Sequence, residues 1–220
     1  MKTAIFLNIH ADLYARFAHI RTQLLQGSKV SQASALGEVL SEISCEIIEQ
    51  VFMVILQDKR HAQHTGDSEK VVQQILEAVR KYMPWSVSFF SNERLLPLVE
   101  YVFNTIQVED EKFYMTYPIS QQLTQQIQSS SKKLMAGDSS EISPVMKLLV
   151  EVIDLGVTHL MRAPKKSLKF NFVVDKTLNG VINMMTHLGY KRLEKIGTQL
   201  DATTAADYVE YFLKFMRHQA

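Results

Sequence analysis

Five polar residues spaced four apart form the group best suited to binding chemistry. They are Asn171, Asp175, Asn179, Asn183 and His187. In a helix, four-residue steps keep successive members on one face with a slow drift around the axis. Asparagine forms helices poorly, so three asparagines in such a row indicate side chains that bond to something. We take Asp175, Asn179, Asn183 and His187 as candidate ligand-binding residues in a buried seam or pocket wall. The alternative is a solvated face that is rich in asparagine.

Two apolar groups could complete such a pocket. Methionine is concentrated in the C-terminal third, at Met146, Met161, Met184, Met185 and Met216. Methionine suits surfaces that repack around a ligand, although it also fills ordinary cores. Trp85, followed by Phe89 and Phe90, lies in a very apolar connection that either covers a pocket, forms an interface or anchors a loop. We add Met184 and Trp85 to the candidate ligand-binding residues.

Catalytic chemistry finds little support. The single cysteine, Cys45, shares a helical face with Glu42 and Glu46, and nearby carboxylates raise the pKa of a thiol. The chain has no G-x-S-x-G nucleophile motif, no G-x-G-x-x-G loop and no Walker A loop. We therefore name no catalytic residue, and the sequence favours a protein without enzyme activity.

Metal binding is equally weak in the sequence. His61 and His64 are three residues apart, but a stable site needs three or four ligands and no acid accompanies them. A di-iron bundle needs Glu-x-x-His on two helices, and that pattern does not occur. We expect no metal and no cofactor.

Size and composition indicate a globular protein with one substantial core. The chain has 220 residues, 46% of them hydrophobic and 21% charged, with a formal net charge of +1. This is too apolar and too balanced in charge for a disordered chain. We expect a single domain over residues 1–220, with a subdomain seam conceivable at residues 136–143, where the composition resembles a linker.

Charge is segregated along the chain. An acidic row, Glu38, Glu42, Glu46 and Glu49, contrasts with the basic group Arg162, Lys165, Lys166 and Lys169. These are either two solvated faces or complementary surfaces that meet within one chain or between two. Neither resembles the strongly single-signed surface of a nucleic-acid binder, so we expect no nucleic-acid partner.

Helical periodicity dominates the sequence, with apolar residues recurring at three- and four-residue steps. The predicted helices cover residues 6–27, 32–60, 68–83, 92–107, 119–135, 144–162, 167–188 (or 167–199 with a bend at Gly189) and 204 onwards. Asp67 is the predicted N-cap of the third helix and Pro84 its end. We find no strand pattern, and predict an all-α bundle of seven or eight helices with orthogonal or up-down packing.

The sequence predicts neither a signal peptide nor a membrane-spanning helix. The apolar run Ala4–Leu7 is too short for the core of a signal peptide, and no 18-residue apolar stretch suited to a membrane span occurs. With one cysteine, the composition fits a reducing compartment, so we expect a cytoplasmic protein.

Two functions remain open. The first is a non-catalytic interaction or assembly protein, a homodimer or larger homo-oligomer, whose partner is itself or another helical protein. The second is a binder of an apolar small molecule, lipid-like or aromatic, held between helices with the Asn and His side chains as polar contacts.

Overall fold

The computed structural model describes residues 2–57 and 62–219, with side chains for residues 2–52 and 68–218. A mostly helical, multi-helix fold is confirmed. The helices are α1 Ala11–Leu25, α2 Ala33–Gln57, α3 Ala62–Val87, α4 Asn92–Asn104, α5 Gln121–Met135, α6 Ile142–Val157, α7 Ala163–Ser167, α8 Phe172–Gly197 and α9 Ala202–Leu213. A π-helical turn, Thr158–Arg162, joins α6 to α7.

The prediction that the chain has no strand is wrong. Four strands form one antiparallel sheet in the order β2-β3-β1-β4: β1 Lys2–Ile9, β2 Ile106–Glu109, β3 Lys112–Ile119 and β4 Met216–Gln219. The first predicted helix therefore begins at Ala11 and not at Phe6. Residues 3–7 of β1 are all buried, so the strand lacks the polar–apolar alternation that marks a half-buried strand. Phe6 and Ile9 matched a helical step by coincidence.

The hairpin between β2 and β3 was also missed. Its two turn residues, Asp110 and Glu111, have φ angles of 48° and 60°. Such left-handed pairs favour Asn-Gly or Asp-Gly, so an Asp-Glu pair carries a weak sequence signal. In the sequence, residues 107–118 form an acidic cluster followed by aromatic residues.

Helix α3 differs from its predicted bounds at both ends. It begins at Ala62, so Asp67 lies within it, and the side chains of Asp67 and His64 fall outside the described ones. Pro84 does not end the helix, which continues to Val87. A Cβ atom on Gly37 would lie 2.6 Å from the Cα atom of Pro84. Glycine at position 37 thus lets α2 and α3 cross closely.

The core consists of two large groups of buried side chains. The larger group joins the inner face of the sheet to α5, α6, α8 and α9, and includes residues on both sides of the 136–143 segment, such as Ile127 and Val145. The second group, with Phe17 and Leu95, lies between α1, α2 and α4. Helices α2 and α3 contribute residues to both groups.

The segregated charges find partners within the chain. Arg16 makes two hydrogen bonds to the Glu42 carboxylate, at 2.7 and 2.8 Å. On the basic side, Arg162 pairs with Asp154, and Lys165 pairs with Asp175. In these pairs, residues of the acidic row and of the basic group bind side chains outside both groups.

Within the described residues, no helix combines the length and apolar character that a membrane span needs.

Candidate ligand-binding cavity

An apolar cavity of about 200 Å³ lies between the sheet and the helices. Its walls come from β1, β3, α2, α3, α4, α6, the π-helical turn, α7 and α8. On α2 the lining residues Leu40, Ile43, Ile47 and Val51 follow the three- and four-residue steps of one helical face. On α8 the lining residues Leu178, Val181, Ile182 and Met185 do the same. Amphipathic helices that would normally bury these faces against each other here enclose a space.

Several hydroxyl groups of the lining donate to backbone carbonyl oxygens. The hydroxyl of Tyr101 donates to the carbonyl oxygen of His159 at 2.9 Å, and that of Tyr117 donates to the carbonyl oxygen of Val152 at 3.2 Å. The Ser86 hydroxyl donates to the carbonyl oxygen of Met83. Burial raises the pKa of both tyrosines, so their hydroxyls stay neutral donors. These bonds leave the cavity wall suited to apolar contacts.

One wall contains an irregular helical turn. The π-helical turn Thr158–Arg162 contributes Leu160 and Met161 to the lining. Turns of this kind interrupt the regular hydrogen bonding of a helix and are often found at functional sites. Gly156, one residue before the end of α6, also lines the cavity and lies against the ring of Tyr117.

The cavity is elongated. Its lining on α2 extends from Leu40 to Phe52, twelve residues or about 18 Å along the helix. One end is closed where α2, α3 and α8 meet, because a Cβ atom on Gly189 would lie 3.7 Å from both Phe52 and Ile75. The other end lies near the beginning of α8, where Lys165 joins the lining.

Lys165 is the one charged residue among the described lining residues. Its ammonium group is paired with the carboxylate of Asp175 in the first turn of α8. The exposed fraction of the side chain is 12% for Lys165 and 44% for Asp175. The hydrogen bond from Lys165 holds the pKa of Asp175 below its ordinary value, so this carboxyl group is ionised at neutral pH. An ammonium group and its carboxylate partner therefore lie at one end of an apolar space.

None of the residues predicted to bind a ligand lines this cavity. Asn179, Asn183 and His187 are exposed on the outer face of α8, and Met184 is 47% exposed. Asp175 is half-buried and accepts a hydrogen bond from Asn179 at 2.9 Å. The stripe is therefore solvated, as the alternative interpretation had it. A role for these residues in ligand binding stays a prediction.

Asn171, the first residue of the stripe, and Trp85, a predicted ligand-binding residue, both have structural roles. Asn171 is the N-cap of α8, where its side chain accepts a hydrogen bond from the amide of Val174 at 3.0 Å. Trp85 is half-buried within α3, edge-on to Phe89 at a centroid distance of 5.0 Å, and lies outside the lining. The opposite, apolar face of α8 lines the cavity instead, with Leu178, Val181, Ile182 and Met185.

A second, polar cleft lies at the surface beside β1. It is lined by His10, Asp12, Leu13, Ser41, Glu42, Cys45, Glu46, Glu49 and Arg80. Burial raises the pKa of the Cys45 thiol, which disfavours the nucleophilic thiolate. No group of three metal-binding side chains occurs among the described residues, and the His61–His64 pair lies outside the described side chains.

Comparisons with known proteins give no relative from which function could be transferred. No protein-family model, no curated protein and no solved structure matches the chain. Function must therefore be inferred from the cavity and its surroundings.

Proposed function

We propose that this protein binds an apolar, lipid-like small molecule in the cavity between α2, α3 and α8. The supporting observation is the mostly apolar space of about 200 Å³, where the hydroxyl groups of Tyr101 and Tyr117 bond to backbone carbonyl oxygens. A cavity of roughly 150 Å³ lined by Leu, Ile and Phe is enough to hold benzene. The space here is larger than that and similarly apolar.

The energetic cost of an empty space supports an occupant. Protein interiors are close-packed, with few voids larger than a water molecule. Cavities created in a core destabilise by about 24 cal/mol per Å³, so 200 Å³ would cost up to about 5 kcal/mol. Because a typical domain is stable by only about 5–15 kcal/mol, a ligand that fills the space would recover a substantial part of the total.

The shape of the space favours a chain over a compact ring. The lining extends for about 18 Å along α2, and it ends against Phe52 at one side. Of the two ligand shapes that the sequence left open, lipid-like and aromatic, an extended alkyl chain fits this length better.

A matched pair of valine variants tests the proposal. Val181 lines the cavity from α8, whereas Val173 on the same helix is 71% exposed. Val181→Phe places a ring in the cavity and should weaken binding of the neutral apolar dye Nile red at least tenfold, while Val173→Phe should leave it unchanged. Titration of dye fluorescence after removal of co-purified apolar molecules measures this. Equal affinity in all three proteins, or no binding, would contradict the proposal.

Assembly of several copies is the second candidate function. Phe172 and Val173 are 79% and 71% exposed at the start of α8, an unusual exposure for adjacent apolar side chains. If they form a contact between copies, Phe172→Asp should convert an oligomer to a monomer in native mass spectrometry. If the wild-type protein is a monomer, assembly is not its function.

The cytoplasmic location stays a prediction.

A further inference from the structure

Lys165 has more hydrogen-bonding capacity than its described neighbours use. An ammonium group donates three hydrogen bonds. Among the described residues, its one acceptor is the Asp175 carboxylate. With an exposed fraction of 12%, the Lys165 side chain has little access to water that could accept the other two. An acceptor brought to the end of the cavity by a ligand would meet these donors.

The surroundings of this end are positively charged. No acidic residue occurs between Asp154 and Asp175, a stretch that carries four cations. Arg94 adds a fifth, because its guanidinium donates to the carbonyl oxygens of Leu168 and Lys169 at 2.8 and 3.2 Å. The five cations are Arg94, Arg162, Lys165, Lys166 and Lys169, and the neighbouring carboxylates are those of Asp154 and Asp175. This imbalance favours an anion near this end of the cavity.

We propose that the ligand is a single-chain amphiphile with an anionic oxygen headgroup, a carboxylate or a phosphate, that binds the Lys165 ammonium. The proposal rests on the proposed function and defines its ligand class. The apolar chain would extend from Lys165 along α2 and α8 towards Phe52 and Met185, which lie near the closed end. The headgroup would remain where the field of the surrounding cations is favourable.

Asp175 competes with such a headgroup for the same ammonium. Its negative charge would repel an anionic headgroup bound to the two remaining donors of that ammonium. The two variants of this ion pair therefore have opposite expected effects. Removing the charge of Lys165 should weaken anion binding, and removing that of Asp175 should strengthen it.

Displacement of Nile red tests the headgroup and the chain separately. Dodecanoate, dodecyl phosphate and 1-dodecanol share one chain length and differ in the headgroup. Wild-type protein should bind dodecanoate or dodecyl phosphate about tenfold more tightly than dodecanol, as one charge-assisted hydrogen bond would give. The preferred one of the two anions tells whether the headgroup is a carboxylate or a phosphate.

Lys165→Met should abolish the preference for the anion over dodecanol. Lys166→Met is the matched control, since Lys166 is the exposed neighbour and does not line the cavity. Asp175→Asn should raise the affinity for the anion and leave that for dodecanol unchanged.

The outcomes separate the two proposals. If dodecanol displaces the dye but wild-type protein shows no preference for an anion, the headgroup proposal is wrong and the apolar site stands. The same conclusion follows if the preference persists in Lys165→Met. If neither the alcohol nor the anions bind, both proposals are wrong.

Discussion

Gly156 lies so close to the ring of Tyr117 that a Cβ atom at position 156 would be 2.9 Å from both the Cζ and the hydroxyl oxygen of the tyrosine. The tyrosine is fully buried, and its hydroxyl donates to the carbonyl oxygen of Val152, one turn earlier on α6. Both residues line the cavity. Glycine at this position therefore sets the distance between the sheet and α6, and with it the position of one cavity wall.

Gly156→Ala should destabilise the protein and weaken ligand binding together. The added methyl group forces the Tyr117 ring towards the cavity and disturbs its bond to Val152, at a cost of about 1–3 kcal/mol in the free energy of unfolding. Gly180→Ala is the control, because a Cβ atom there meets nothing within 4 Å. Alanine at that helical position should stabilise by about 1 kcal/mol. Urea unfolding measures both changes; an unchanged or more stable Gly156→Ala protein would contradict the assigned packing.

Two asparagines of the α8 stripe should respond differently to substitution. Asn183 is exposed in the middle of the helix, so Asn183→Ala should change the free energy of unfolding by less than about 0.5 kcal/mol. Asn171 caps the helix, so Asn171→Ala should destabilise by about 1 kcal/mol. Thermal or urea unfolding of the two variants gives the comparison directly. A larger loss at Asn183 than at Asn171 would mean that the stripe is not solvated as described.

The α8 helix shows how far the sequence leads towards the site. A helix was predicted here, and its apolar residues Leu178, Val181, Ile182 and Met185 line the cavity. Met184, one position earlier than Met185, lies about 100° around the helix and faces solvent. The cavity itself could not be predicted, because it is a space left between nine elements. A helical pattern describes each apolar face but not the gap between faces.

The sheet was unpredictable for a different reason. Ile5 and Leu7 pack on the main core, while Ala4 and Phe6 pack on the other side with Tyr114. A strand buried on both faces has the same continuous apolar pattern as a short buried helix. The end of a helix can be predicted more easily where one residue favours it. Gly27, with a φ of 71°, follows α1, whose end was predicted at residue 27.

Asp154 should contribute to stability above about pH 4 and lose that contribution in acid. Burial raises the pKa of this carboxyl, but hydrogen bonds from Arg162 and Tyr190, each 2.8 Å long, outweigh burial and leave the pKa below its ordinary value near 3.8. A group whose pKa is lowered by folding stabilises the protein above its unfolded pKa. That stabilisation disappears as pH falls through the lower, folded value.

Asp154→Asn should therefore unfold at a lower temperature than wild type at pH 7, and the difference should shrink as the pH falls below 4. Calorimetry between pH 7 and pH 3 measures the trend. Glu151→Gln, which neutralises an exposed carboxylate on the same helix, controls for the change in net charge. A difference for Asp154→Asn that is constant across this range would show that the carboxylate charge is not what matters.

A ligand in the cavity and a larger side chain in the cavity should each stabilise the folded state, and their effects should not add. A ligand present at about 100 times its dissociation constant stabilises the folded state by about 2.7 kcal/mol. In a chain of this length, about 2–4 °C accompanies each kcal/mol, so dodecanoate should raise the melting temperature of emptied wild-type protein by about 5–10 °C.

Val181→Phe should raise the melting temperature of the ligand-free protein and reduce the further shift caused by dodecanoate. Its ring occupies part of the 200 Å³ space, so the emptied variant should melt above emptied wild type, because cavity volume is removed without a ligand. Dodecanoate should then add only a small further shift, since the room for its chain is gone. Differential scanning calorimetry of both proteins with and without dodecanoate measures the four melting temperatures, and Val173→Phe should behave as wild type. If Val181→Phe melts lower when empty and still gains the full shift with dodecanoate, the ligand binds somewhere other than this cavity.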